Sequence, residues 1–318
     1  MIDLKPAPPT LSRECQDNRQ YQHDEQRPLA NGFANFQPRT DKEEVDCHGN
    51  RKAHVSHLQY SYPLKLMVPK YASRSNAKWL YPISYGGGLL AGDHINLNIT
   101  VGTRCCVVIT TQGSTKVYKS DRLTSRQTFN AKVESEGFLA ILPDPVVCFA
   151  NARYQQTQVI HLSRNSNLIL LDWMTAGRMA NGEHWQFTGY SSQNSIYLED
   201  SLVFRDSVTM ADKSTVTIKQ AMGSFCVVAM CVLLGPQLQS ICEEAIARYG
   251  KRKPYGYKYD STKVVSVSSL SYGVKGDNIK GVVIRISSQT TSEAFQEIDQ
   301  LLSILYPKLG GDPFENKY

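Results

Sequence analysis

Residues 85–95 read Y-G-G-G-L-L-A-G-D-H-I, and they restrict the fold more than any other stretch. Four glycines, Gly86, Gly87, Gly88 and Gly92, fall within seven residues. Glycine reaches backbone angles closed to other residues, so the chain must turn sharply here or let something approach closely. From His94 to Val101 the sequence then alternates. Ile95, Leu97, Ile99 and Val101 take one face, His94, Asn96, Asn98 and Thr100 the other. That period describes a half-buried strand, expected to be antiparallel. A glycine run that opens a strand is neither a dinucleotide fingerprint nor a P-loop, because both aim a helix N-terminus at phosphate. A structural turn between two strands accounts for the same letters.

Downstream, short β-type runs follow one another between turn residues. They include Cys105–Thr111, Arg126–Val133, Phe138–Leu142, Gln155–Leu162, Asn167–Met174, Glu183–Tyr190, Ser195–Arg205 and Val208–Met210. Gly137, Pro143, Pro145, Gly177, Gly182 and Gly189 punctuate them, and no helical period precedes residue 236. The expected fold is therefore mainly β, a sandwich or a β-helical coil of stacked strands. The last hundred residues change period. Pro236 opens a helix whose stripe is Leu238, Ile241, Cys242, Ala245, Ile246 and Tyr249, and Gly250 ends it. Thr291 or Ser292 caps a second helix, with Phe295, Ile298, Leu301, Leu302 and Leu305 on one side and a stop before Pro307. The expected organisation is a disordered tail over 1–30, a β-rich domain over 31–215, and a small α+β lobe over 216–318 in the order β-α-β-β-α. The tail is rich in Pro, Gln, Asn, Arg and Asp, too polar to offset its ordering entropy.

Of 318 residues 41% are hydrophobic, enough for a large core. No apolar run reaches the ~18 residues a membrane helix needs. The N-terminal M-I-D-L-K-P-A-P-P-T has no apolar signal core, so a cytoplasmic protein is expected, with its eight cysteines reduced. Cys47, His48, His54 and His57 lack the spacing of a folded metal site: His54 and His57 fall on opposite faces of a strand.

Carboxylates stand in or beside apolar strands at Asp172, Glu183 and Glu199, and Asp93 closes the glycine run. Each is a satisfied structural group, one of an acid–base pair as in a β-rich carbohydrate-active hydrolase, or an oxygen ligand on a path for a divalent cation. No G-x-S-x-G nucleophile motif occurs.

Four motifs together carry a resemblance. Y-G-G-G-L-L-A-G-D is followed in order by T-T-Q-G-S-T-K-V-Y-K-S at 110–120, L-P-D-P-V-V-C-F-A-N-A-R at 142–153 and D-W-M-T-A-G-R-M-A-N-G-E at 172–183. Over about residues 63–307 the chain resembles the urease accessory protein D family (UreD/UreH). The resemblance implies a β-rich scaffold with two helices that is not an enzyme and holds no cofactor tightly. It would bind urease apoprotein and the helical accessory protein F, join the GTPase G through F, and pass nickel in transit along an internal tunnel. Matching positions put Asp93, Thr115, Asp172 and Glu199 on that path. Gly86, Gly87, Gly88, Gly92, Gly113, Lys116, Arg153, Gly177, Arg178 and Glu183 form the structural motifs, with Arg178 and Glu183 pairing across a turn. An interaction scaffold without a metal role is the alternative within the same family. The chain ends G-G-D-P-F-E-N-K-Y where bacterial members end in a Pro-Arg-Ile-Trp-like segment. That ending and S-Y-P-L-K-L at 61–66 resemble eukaryotic members.

The formal charge of +6 is concentrated between Arg248 and Lys263, where six cations face one carboxylate. Lys251, Arg252 and Lys253 stand there in a run followed by Tyr255 and Tyr257, which suits docking of an acidic protein better than binding of nucleic acid. Changing all three cations to Ser is expected to slow association with an accessory partner severalfold at low ionic strength while leaving thermal stability unchanged. Stopped-flow rates at low and moderate salt test this, and equal rates at low salt contradict it.

Overall fold

The computed structural model describes residues 29–39, 45–70, 75–212, 215–250, 262–274 and 277–317. The tail expected over 1–30, apart from its last two residues, and the loop residues Lys251, Arg252, Lys253, Tyr255 and Tyr257 lie outside these. The chain begins with β1 (Leu29–Pro38), β2 (Ala53–Tyr60), β3 (Leu64–Met67), β4 (Lys78–Ser84), β5 (His94–Val101) and β6 (Cys106–Ile109). Then come β7 (Thr115–Val117), β8 (Ser125–Val133), β9 (Phe138–Ile141), β10 (Val146–Cys148), β11 (Arg153–Leu162) and β12 (Asn167–Thr175). The C-terminal part contains β13 (Gly189–Leu198), β14 (Ser201–Met210), α1 (Ile218–Met222), β15 (Val227–Leu234) and α2 (Gln239–Tyr249). It ends with β16 (Lys263–Val274), β17 (Asp277–Ser288), α3 (Thr291–Leu302) and α4 (Tyr306–Leu309).

Successive strands are dealt alternately to two sheets, so the middle of the chain winds as a stacked coil. One sheet runs β14-β13-β11-β8-β5-β1-β2, and the other runs β16-β17-β15-β12-β9-β6-β4-β3 with β7 and β10 beside it. β5, β8, β11 and β13 pair in parallel, as do β6, β9 and β12. This is the β-helical form of the expected mainly-β fold. The antiparallel expectation for residues 94–101 is corrected: β5 is parallel to both β1 and β8. Period-two alternation reports that one face is buried and carries no information about the direction of the neighbouring strand. The polar face of β5 joins a side-chain ladder instead, with Asn96 bonded to Asn31 at 3.0 Å and Asn98 to Asn130 at 3.1 Å.

The second sheet is covered on both sides, which makes three layers. Toward the first sheet it presents Leu80, Val107, Ile109, Leu168, Leu170 and Met174. Toward the helices it presents Ile169, Leu171, Trp173, Ala229, Leu233 and Ile284, packed on Ile241, Ala245, Ile298 and Leu302. A strand buried on both faces reads as a near-continuous apolar run, as β12 does. α2 and α3 lie on β15, β16 and β17. The β-α-β-β-α order of the C-terminal region is present, and its strands extend the second sheet through the β12–β15 pairing. The expected boundary near 216 falls between β14 in one sheet and β15 in the other.

Details of the helices and turns differ from expectation. α1, five residues long, precedes residue 236 and is opened by a Thr217–Gln220 capping box. α3 is capped by Thr290, one residue earlier than expected, with Glu293 completing the box. The helical path runs on through Pro307, which sits in the first turn of α4 where no N–H is needed. Glu199 lies in no strand. With Asp200 it forms the β13–β14 turn, at φ of 45° and 67°. Residues 183–188 form no strand either, because β13 begins only at Gly189.

Leu170 is fully buried between the sheets. Leu170→Ala is expected to destabilise the chain by about 2–5 kcal/mol, read from denaturant unfolding. A cost below about 1 kcal/mol would show that the sheets are not packed there as described.

Candidate functional site

The four motifs converge at one end of the coil. Gly88 marks the first contact: a Cβ there would lie 2.5 Å from the Lys116 carbonyl, which accepts a hydrogen bond from the Leu89 N–H at 2.8 Å. Only glycine allows that approach, so the glycine run and the 110–120 motif meet backbone to backbone. β7 in turn pairs with β10 of the third motif, and β10 with β12 of the fourth. Gly92 has φ of +79° and packs on Leu123, and Asp93 accepts a 2.7 Å bond from the Leu90 N–H, closing its own turn.

An open groove of about 380 Å³ lies on this end, with Gly87, Gly88, Gly113, Thr115 and Lys116 in its wall. Pro82, Ser84, Thr111 and Thr115 also border an internal cavity of about 90 Å³ between the sheets. That cavity reaches Asp172. Asp172 also borders a third space of about 40 Å³, which continues between the sheets to Asp206. Groove, cavity and inner space thus share lining residues in sequence across the sandwich.

Asp172 occupies the middle of this series. It points from β12 toward the first sheet, at the position level with Met230 on β15. Its Oδ2 accepts hydrogen bonds from Ser192 Oγ and Asn194 Nδ2, both at 2.7 Å, and its Oδ1 accepts one from Gln156 Nε2 at 3.2 Å. All three donors are neutral, and among the described residues no cation pairs with this carboxylate. Tyr154 extends the network by 2.9 Å contacts to Gln127 and Gln156. Burial, reinforced by Cys148 and Asp172, pushes its hydroxyl well above the ordinary range, so it stays protonated. Burial likewise pushes the nearby Cys148 thiol up to about 12. Asp206, beside Asn194 in the β13–β14 pairing, bonds Arg285 of β17 at 2.7 Å.

The sequence-derived residues separate into groups. Thr115 and Asp172 border the same cavity, whereas Asp93 and Glu199 border none of the three spaces. Glu199 is exposed and accepts a 2.6 Å bond from the Arg164 N–H. Arg178 and Glu183 pair, through Nε at 3.0 Å and a second bond from Nη2 to Oε1. Glu183 also accepts from the Ala150 N–H at 3.2 Å, and the Arg178 guanidinium lies 4.1 Å over the Phe149 ring. Gly177 has φ of +126° and a Cβ there would lie 3.2 Å from the Cys148 carbonyl, so this cluster clasps the third and fourth motifs together. Arg153 Nε is buried with no hydrogen-bond partner among the described residues. Neither Glu183 nor Glu199 shares a cavity with Asp172, so the carboxylate pairing of a glycoside hydrolase is not assembled.

Comparison with known proteins identifies the family. The family model described as "UreD urease accessory protein" matches residues 43–317. The chain is 37% identical to urease accessory protein D of Arabidopsis thaliana over 295 residues, covering 86% of this chain and 99% of that protein. It is 36% identical to urease accessory protein UreD of Sorangium cellulosum, covering 80% of this chain and 77% of that one. The chain belongs to the UreD urease accessory protein family. Its role therefore lies in urease maturation and metallocentre assembly.

Within this UreD chain, sequence reasoning passed over Gln156, Ser192, Asn194 and Asp206. A signal was present. Gln156 and Gln158 fall on the inward face of β11 between Tyr154 and Ile160, and Ser192 and Asn194 on that of β13 between Tyr190 and Ile196. Polar residues at four inward positions in adjacent strands mark a wet seam inside an otherwise apolar layer.

The Arg178 hydrogen bonds hold the Glu183 carboxyl below its ordinary value of 4.5, against the opposing effect of burial. A carboxyl with a lowered folded-state pKa adds stability above its ordinary pKa and loses it as pH falls through the folded value. Glu183→Gln is expected to lower the Tm by roughly 2–6 °C at pH 7. The gap to wild type should close in acid, as the wild-type carboxyl protonates. A gap that stays constant down to pH 3 contradicts this assignment.

Proposed function

We propose that this chain passes Ni²⁺ to urease during metallocentre assembly, as a scaffold that binds the urease apoprotein and the other accessory proteins, protein F directly and the GTPase G through it. The observation that carries the metal role is Asp172: a carboxylate with no cationic partner among the described residues, set between two internal spaces and held by three neutral side chains. Asp172 is partly buried, and a carboxylate in such a recess without a counter-charge attracts a mobile cation. One carboxylate with hydroxyl oxygens such as those of Ser192 and Thr115 binds a borderline divalent metal loosely enough to release it, which a conduit requires. The route this supports runs from the groove past Thr115 to Asp172 and then to Asp206. Asp93 is tied to its own turn and Glu199 lies on an exposed one, so neither adds support to their expected place on the path.

The scaffold role draws support from apolar surface beside the groove. Tyr62 and Tyr85 are exposed and lie 5.6 Å apart, with Leu90 also exposed nearby in sequence to the glycine run.

Asp172→Asn keeps the shape of the side chain and removes its charge. Substitutions in or next to a metal's ligand shell commonly cost ~10–100-fold in affinity, so urease matured with this variant is expected to carry roughly tenfold less nickel. Co-purification of the variant with urease and the accessory proteins should be unchanged. Full nickel content with normal assembly would leave the interaction-scaffold reading in its place.

A further inference from the structure

Among the described residues, Asp144 is the one further carboxylate bordering the central cavity, and Lys317 already neutralises it. Its side chain is 1% exposed and bonds Lys317 Nζ at 2.9 Å. Lys317 Nζ also donates to the Thr111 carbonyl at 2.6 Å, while Thr111 Oγ1 donates to Asp144 Oδ2 at 2.7 Å. Thr111 borders both the open groove and the cavity, so this cluster stands at the neck joining them. The ammonium is thus held by a carboxylate oxygen and a backbone carbonyl, the oxygen donors a hard or borderline cation takes.

The segment bringing Lys317 there is anchored through its backbone and Phe314, and the Lys317 N–H itself donates to the Phe314 carbonyl at 3.0 Å. Phe314 is buried, edge-on to Trp173 and to Phe295, and Thr110 Oγ1 donates to the Pro313 carbonyl at 3.5 Å. Lys317 lies three residues beyond that anchor and is 20% exposed. The side-chain tip alone makes the contacts at the neck, so the ammonium can swing away while Phe314 stays seated.

We propose that Asp144 with Thr111 is a second cation station, at the neck of the path, and that the Lys317 ammonium occupies it in the resting chain as an exchangeable counter-ion. This rests on the metal path proposed above. A divalent ion entering from the groove takes the place of Lys317 at the carboxylate, and Lys317 returns once the ion has moved inward. The station is never left as a bare buried anion, a state that would be strongly destabilising. The device also sets an order of events: the neck accepts a metal only as the C-terminal segment lets go.

The test is Ni²⁺ binding by equilibrium dialysis of the full chain, comparing wild type, Lys317→Gln, a chain lacking residues 316–318, each of these with Asp144→Asn, and Asp172→Asn alone. Freeing the carboxylate is expected to add one bound Ni²⁺ per chain, or to tighten binding on the order of tenfold, and Asp144→Asn is expected to cancel the gain. No gain in either Lys317 variant overturns the proposal, as does a gain that survives Asp144→Asn. Failure of both variants to fold would make Lys317 a structural strut and overturn it equally. Asp172→Asn separates the two readings. If it leaves binding untouched while the Lys317 variants gain, the station at Asp144 stands and the path through Asp172 falls. If it weakens binding while the Lys317 variants gain nothing, the path stands alone.

Discussion

The interaction on which the rest of the molecule depends is the contact of β12 with a layer on each of its faces. Odd-numbered side chains Ile169, Leu171 and Trp173 meet the helices, and Leu168, Leu170 and Met174 meet the first sheet. A strand so enclosed has little solvent face on which to put a charge, and Asp172 is its one position not fully buried. It nonetheless carries Asp172 toward the first sheet, and the facing strands answer with Gln156, Ser192 and Asn194 rather than with apolar residues. Those polar positions interrupt the packing between the sheets, and the spaces around Asp172 are the result. Stability here comes from the layers on either side of the seam, and the proposed metal path runs through the seam itself.

Charge is distributed along the seam in a consistent way. Asp206 has Arg285 and Asp144 has Lys317, while Asp172 between them has only neutral donors. The carboxylates nearer the ends are thus compensated by cationic side chains from β17 and from the C-terminal segment, and the central one, in the proposed role, by a mobile ion. Both end pairs tie parts of the chain distant in sequence, 79 and 173 residues apart. Such contacts are slow to form in folding but, once made, close the coil at the places where the cavities approach the surface.

Much of this was legible in the residues. The period-two runs marked most strands, the two helical stripes marked α2 and α3, and the four motifs that carried the family resemblance do meet, through Gly88 against Lys116 and Arg178 with Glu183. Strand direction was not legible, because His94–Val101 alternates identically whether its neighbours run with it or against it. Glu199 was misplaced within an apolar run because I-Y-L-E-D continues an alternating pattern into a two-residue turn, and only positive φ at Glu199 and Asp200 reveals the break. Asp144 was hidden inside P-D-P, where an acidic residue between prolines reads as a turn, and its partner stands 173 residues away. Separations of that kind leave no local trace.

The central claim is that a divalent metal passes the Asp172 carboxylate between the sheets. Anomalous diffraction at the nickel edge, from crystals of the full chain soaked in Ni²⁺, tests it most directly. The account predicts an anomalous peak within about 2–3 Å of an Asp172 carboxylate oxygen, the range of metal–oxygen contacts, and its loss in crystals of Asp172→Asn. Nickel found only on surface histidines, with the space beside Asp172 empty at saturating metal, would contradict it.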